Sequence, residues 1–158
     1  MTPGINIAKK AKITYKIHEY SHDPSSESYG AEAAEKMGVP EERVFKTLVV
    51  SLDSKDLAVG VVPVSAMLNM KLIAKAAGAK KAGMAAASEV ERSTGYVLGG
   101  VSPLGQKKRL KTIIDASAES FPTIYVSAGR RGLEIELSPN DLGNLTNGTF
   151  AAICQQDR

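Results

Sequence analysis

Residues 44–52, VFKTLVVSL, form the strongest strand in this chain, and the fold follows from reading them. Val44, Lys46, Leu48 and Val50 share one face and Phe45, Thr47, Val49 and Ser51 the other, because successive side chains of a strand point to opposite sides. Both faces are largely apolar, as in a central strand covered on both sides. Asp53-Ser54-Lys55 makes a hairpin-like turn into a second strand, Leu57 to Pro63, paired antiparallel with the first. One residue breaks the apolar stripe. Lys46 stands in register with Val44, Leu48 and Val50, where a fully desolvated ammonium without a partner is expensive. Either the strand end is exposed and the amine reaches water along its stem, or it opens onto a polar pocket holding an anion or a carbonyl oxygen.

Outward from this hairpin, helices and strands interleave. Thr2-Pro3 starts a short helix that ends before Lys12. Thr14–Tyr20 alternates as a strand, and the polar run Ser21–Ser28 is a loop with Tyr20 at its entrance and Tyr29 at its exit, either ring placed to overhang a pocket. Ala31–Met37 is a helix closed by Gly38. Asn69 caps a helix over Met70–Ala77 that stops at Gly78, and Ser88 with Glu91 has capping-box spacing for a short helix, Glu89–Ser93. Arg109–Asp115, Thr123–Ser127 and Leu133–Leu137 read as strands, the last two joined by a tight AGRRG turn. Ser138-Pro139 begins a final helix, and Phe150–Ile153 is a last strand. The expected fold is α+β: one domain over residues 1–158, with a mixed, mostly antiparallel sheet flanked by short helices.

Residues 93–111, STGYVLGGVSPLGQKKRLK, connect the middle of the chain to its last strands. Four glycines make this a shaped loop. Gly99 and Gly100 let main-chain N–H groups approach a ligand, Ser102 adds a hydroxyl, and Pro103 stiffens the exit. Lys107, Lys108, Arg109 and Lys111 follow at once and suit a phosphate-bearing ligand. Glycine pairs before Ser-Pro also make ordinary turns, and a basic tetrad can be a solvated strand entrance.

Composition bounds the answer. A chain of 158 residues buries ~70% of the surface exposed when unfolded, enough for one core. Lys and Arg exceed Asp and Glu by only 20 to 17, so basic surface must be local. The single cysteine, Cys154, forms no internal disulfide and reads as a packed side chain. The start MTPGINIAKK has no apolar leader segment and no run approaches the ~20 apolar residues of a spanning helix, so a cytoplasmic protein is expected, with no membrane role. His18 and His22 have neither Cys partners nor helical His-x-x-x-His spacing, so no metal and no cofactor is expected, and His22 beside Asp23 reads as a loop hydrogen-bonding group. No nucleophile elbow, Walker loop or dinucleotide fingerprint occurs.

The motifs together resemble the YbaK family, free-standing relatives of the editing domain inserted in bacterial prolyl-tRNA synthetases. The resemblance rests on Gly99 to Pro103, FKTL at Phe45–Leu48, HDP at His22–Pro24, EAAEKMG at Glu32–Gly38 and TIYVSAGRRGLEIE at Thr123–Glu136, in order over nearly the whole chain. It implies a trans-acting aminoacyl-tRNA deacylase that removes cysteine mischarged on tRNA for proline, and also cysteine on its own tRNA, with the substrate's thiol as nucleophile. It implies Lys46 as the residue on which activity depends, so the pocket reading of Lys46 is preferred. Gly99, Gly100, Val101, Ser102 and Pro103 become substrate contacts, with Tyr20, Ser127 and Glu136 as further lining. Lys107, Lys108, Arg109 and Lys111 become phosphate contacts of the tRNA, and prolyl-tRNA synthetase a partner. Family members can carry Asp at the position of Glu136 and Gly at that of Ala128. Two alternatives stand beside this: a non-catalytic module binding an aminoacyl or nucleotide end, and a deacylase for alanyl- or seryl-tRNA.

Overall fold

The computed structural model describes residues 1–26 and 28–155. In chain order the elements are α1 (Pro3–Ala11), β1 (Tyr15–Glu19), α2 (Tyr29–Met37), β2 (Phe45–Leu52), β3 (Asp56–Pro63), α3 (Met70–Ala77), β4 (Ala82–Met84), α4 (Ala87–Thr94), β5 (Lys111–Asp115), β6 (Ile124–Arg130), β7 (Leu133–Leu137), α5 (Pro139–Thr146) and β8 (Thr149–Ala151). The expected hairpin is present: β2 and β3 pair antiparallel from Phe45↔Pro63 to Leu52↔Asp56. Its turn places Asp53 and Ser54 at φ 53° and 56°, and Lys55 N–H donates to Leu52 O at 2.9 Å. Two successive left-handed residues make the turn whose twist matches the strands. The Asp53 carboxylate further accepts from the N–H groups of Lys80 and Lys81, at 3.1 and 2.9 Å.

The α+β class and the mixed, mostly antiparallel pairing are as expected, but the strands divide into two sheets. One is five-stranded, in the order β4-β2-β3-β5-β8, with β5 parallel to both neighbours; the other is three-stranded, β1-β7-β6, and antiparallel. Among the described residues a single parallel bridge, Val44↔Tyr125, connects them. The two faces of β2 explain the layering. Phe45 and Val49 pack into the core shared with Val126 and Ile135 of the small sheet, whereas Val50 and Leu52 pack against Ile73 and Ala77 of α3. β2 is thus covered on both sides.

Several boundaries moved for local reasons. α4 starts at Ala87, because the N–H groups of Glu89 and Val90 both donate to Ala86 O; Ser88 lies inside the helix and the expected capping box does not form. β4, three residues around Gly83, was not anticipated. Thr2, Asn69 and Ser138 do cap, their side-chain oxygens accepting from Ile5, Leu72 and Asp141 N–H.

Candidate functional site

A cavity of about 510 Å³ opens where the free edge of β2 meets β6, β7 and the glycine loop. Its floor comes from Phe45 to Val49, where the outer edge of β2 runs on past β4, which pairs with β2 only from Val50 to Leu52. α2 supplies one wall and α4, through Ala87 and Val90, another.

Lys46 lines this cavity and is half-buried. Among the described residues no carboxylate forms an ion pair with it. A cation beside a cavity and without a counter-charge is poised for an anion or a polarised carbonyl oxygen. Thr47, next along the strand, has a buried hydroxyl with no partner among the described residues and also lines the cavity. A buried polar atom left unsatisfied in the free protein is a ready contact for a ligand.

Facing β2 are Tyr20, Ser127 and Glu134. Burial pushes the Glu134 carboxyl up to about 8, so near neutrality it mostly keeps its proton. Burial, with the charge of Glu134 added, pushes the Tyr20 phenol up to about 12, which keeps it a neutral donor. Ser127 Oγ accepts from Gly129 N–H at 3.1 Å, across the irregularity that ends the regular β6–β7 pairing.

The glycine loop contributes Leu98, Gly99 and Val101 to the cavity, but not Gly100, Ser102 or Pro103. Gly100 donates its N–H to Val97 O at 3.0 Å, and a Cβ there would stand 2.7 Å from Arg130 Cα. Its missing side chain therefore admits the β6–β7 turn of the protein itself. Ser102 is fully buried, its Oγ accepting from Leu104 N–H at 3.1 Å, and Tyr96 Oη donates to Leu104 O at 2.6 Å. Pro103 is buried with it. These residues shape the loop from behind, docked on α1, and do not face the cavity.

Glu136 lies outside the cavity as well. It accepts from His18 Nε2 at 2.9 Å and Thr123 Oγ1 at 2.6 Å, with Arg43 at 3.9 Å, so its charge is engaged within the small sheet. Glu134, two residues earlier on the same face, takes the lining position expected of it. Strand alternation places both carboxylates on one side and gave no basis for choosing between them.

Two rim residues complete the site. The Arg131 guanidinium lies 3.9 Å from the centroid of the Tyr29 ring and donates to Leu98 O at 3.3 Å. A Cβ on Gly99, whose φ is +87°, would come within 2.3 Å of Arg131 Nε and 2.8 Å of Tyr29 Cε2. Gly99 is thus what lets Arg131 stack on Tyr29 at the mouth. Behind Tyr29, His22 Nδ1 donates to Glu32 Oε1 at 2.6 Å, so His22 is the hydrogen-bonding group its setting implied. Lys107, Lys108 and Arg109 are exposed, whereas Lys111 Nζ donates to Ala77 O at 3.0 Å and caps the end of α3. Cys154 is a packed thiol pushed up to about 12 by burial and by Asp115, and it does not line the cavity. Among the described residues no cluster of His, Cys, Asp and Glu could hold a metal ion.

With this geometry, comparison with known proteins is specific. Residues 23–145 match the aminoacyl-tRNA editing domain. The chain belongs to that family. An Enterococcus faecalis protein named for deacylation of Cys-tRNA(Pro) and Cys-tRNA(Cys), EbsC, is 38% identical over 157 residues, covering 99% of this chain and 94% of the relative. An uncharacterized Bacillus subtilis protein, YwhH, is 30% identical over 115 residues, 73% of each chain. Among solved structures, a hypothetical protein at 27% identity superposes with a TM-score of 0.86, covering 98% of this chain and 100% of its own. A structure described as a trans-editing enzyme for prolyl-tRNA synthetase, at 22% identity, superposes with a TM-score of 0.81 over 99% of both chains and shares the fold.

Proposed function

We propose that this editing domain, taken as one unit over the whole chain, is a trans-acting aminoacyl-tRNA deacylase that releases cysteine mischarged on tRNA for proline, and also cysteine on its own tRNA. The observation that carries the reading is the cavity itself. An uncompensated ammonium, Lys46, and a buried carboxyl, Glu134, line one space whose described residues include no cysteine and no histidine. Such a site holds an acyl group and stabilises charge, and its hydroxyls, Thr47 and Ser127 among them, have no histidine beside them to activate them for attack. The name of the Enterococcus relative supports the same substrate.

In this reading Glu134 gives up its proton as the substrate enters and binds the α-ammonium of the aminoacyl group as carboxylate, with Tyr20 and Thr47 as neutral partners. Lys46 stabilises charge at the ester carbonyl and draws down the thiol pKa, ordinarily ~8.5. The substrate sulfur bonds to the carbonyl carbon as the ester C–O bond breaks, and the thiol proton leaves with the 3′ hydroxyl of the tRNA. Intramolecular attack of this kind can reach an effective molarity of ~10⁵ M or more. Lys107, Lys108 and Arg109 contact tRNA phosphates, prolyl-tRNA synthetase supplies tRNA discrimination as partner, and the substrate places the work in the cytoplasm. The test is a panel of charged tRNAs. Cysteinyl-tRNA should be released, with alanyl- and seryl-tRNA slower by orders of magnitude, and Lys46→Ala should lower turnover by ~10² to 10³ while leaving the circular dichroism spectrum intact. Release of all three at one rate refutes the thiol-assisted step, and full activity of Lys46→Ala refutes the role of the lysine.

A further inference from the structure

The fold gathers positive charge at one end of the five-stranded sheet, the Leu52 end of β2, opposite the end that carries Lys46. Three separate segments meet there. The β2–β3 turn carries Lys55. The approach to β4 carries Lys80 and Lys81, held against that turn by the Asp53 carboxylate and by the bond from Asp53 N–H to Lys81 O at 2.8 Å. The end of the glycine loop carries Lys107, Lys108 and Arg109, fixed because the N–H groups of Lys107 and Lys108 donate to Thr94 O and Ser93 O at 2.9 Å. Lys111 joins the segments: β5 starts beside the start of β3, at Ala58↔Lys111, and the Lys111 ammonium sits on the last carbonyl of α3, whose final turn carries Lys75.

All six of the first-named cations are exposed, and among the described residues none forms an ion pair. The carboxylates on the same segments are two: Asp53, turned toward backbone N–H groups, and Asp56. In a chain whose formal net charge is only +3, this is a concentrated positive field.

We propose that this end of the sheet, Lys55, Lys80 and Lys81 together with Lys107, Lys108 and Arg109, is a docking surface for the phosphate backbone of the acceptor stem whose 3′ end occupies the cavity. The inference rests on the deacylase reading and extends it to the RNA. The spacing supports it. From Lys46 to Leu52 the strand runs six residues, about 20 Å at ~3.3 Å each. A nucleic-acid strand with one phosphate per ~3.4 Å of axis, the DNA spacing, covers that distance in about six nucleotides, and the closer stacking of RNA needs more, so the phosphates arriving here belong to the paired stem beyond the single-stranded tail. Met84, exposed at the cavity rim, lies three residues from Lys81 on the same strand approach and marks the path between the two.

Fluorescence anisotropy with an uncharged acceptor-stem hairpin ending in CCA tests the surface independently of catalysis. The double variant Lys80→Gln/Lys81→Gln should bind the hairpin at least ~10-fold more weakly near 0.1 M salt, with the slope of log affinity against log salt shallower by roughly 2. A short single-stranded oligonucleotide ending in CCA should bind both proteins alike, because it does not reach the patch. In deacylation of the charged hairpin, KM should rise and kcat stay unchanged. Unchanged hairpin affinity and salt slope would overturn the proposal, as would equal weakening of hairpin and short oligonucleotide. Lys9→Gln/Lys10→Gln on α1 removes the same charge elsewhere, and an equal effect from it would also overturn the proposal. A protein that binds the hairpin in this way yet releases no amino acid would refute the deacylase reading and leave the surface standing.

Discussion

Glu134→Gln isolates a buried carboxyl whose protonation is tied to folding. Burial pushes Glu134 from its ordinary 4.5 up to about 8, so between those values the folded chain holds a proton that the unfolded chain has released. Stability from this group is therefore fully present below pH ~4.5 and is lost as pH rises toward 8. One proton corresponds to a slope of ~1.4 kcal/mol per pH unit, so wild type should lose about 2–3 kcal/mol between pH 5.5 and 7.5 from this residue alone. Glutamine keeps the shape and removes the titration. Urea unfolding of both proteins at four or five pH values gives the difference in slope, in which every other titrating group cancels. The variant should be flat relative to wild type and the more stable of the two at pH 8. It should also fail to hold the α-ammonium of the substrate, raising KM for cysteinyl-tRNA. Parallel stability curves would refute the assignment of a proton to Glu134.

Three further perturbations test other parts of the structure. Gly100→Ala sets a Cβ against Arg130 Cα at 2.7 Å; displacing backbone there should cost ~1–3 kcal/mol in thermal unfolding and lower deacylation, and a silent substitution would show that the loop does not lean on the β6–β7 turn. Ser54→Gly relieves a left-handed residue at φ 56° and should stabilise by ~1 kcal/mol without touching activity, with lost stability as the contrary result. Glu136→Gln removes a carboxylate held below its ordinary range, where burial is outweighed by bonds from Thr123 and His18. Its stabilising contribution is present above pH 4.5 and falls away in more acid solution, so the variant should lose stability at pH 7 and the gap to wild type should narrow as pH falls below 4.5; a large drop in kcat would return Glu136 to the site.

What could be read from the sequence, and what could not, follows from how local each cause is. β2 and β3 were legible because both faces of a long apolar run and its turn lie within twenty residues. The division into two sheets was not, since β5 finds β3 and β8 through pairings that no local pattern encodes. Lys46 stood out as a charge in an apolar stripe, and the structure puts it beside the cavity with Gly99 and Val101. The signals that failed were those with two equivalent outcomes. Glu134 and Glu136 alternate to the same side, and Gly100 looks like a ligand contact whether the atoms it admits belong to a ligand or to Arg130. Arg131 on Tyr29 joins residues about a hundred positions apart, and nothing in either neighbourhood announces the pair.

The back of the glycine loop rests on the opening residues of the chain. Thr2 Oγ1 donates to Ala128 O, and at Gly105 a Cβ would stand 2.6 Å from the carbonyl carbon of Pro3. On the ribosome the first helix is therefore finished early but has nothing to grip until positions 102–128 emerge. A chain made only as far as the β2–β3 hairpin still lacks a working pocket, so competence waits until residues 102–128 can meet residues 2–4.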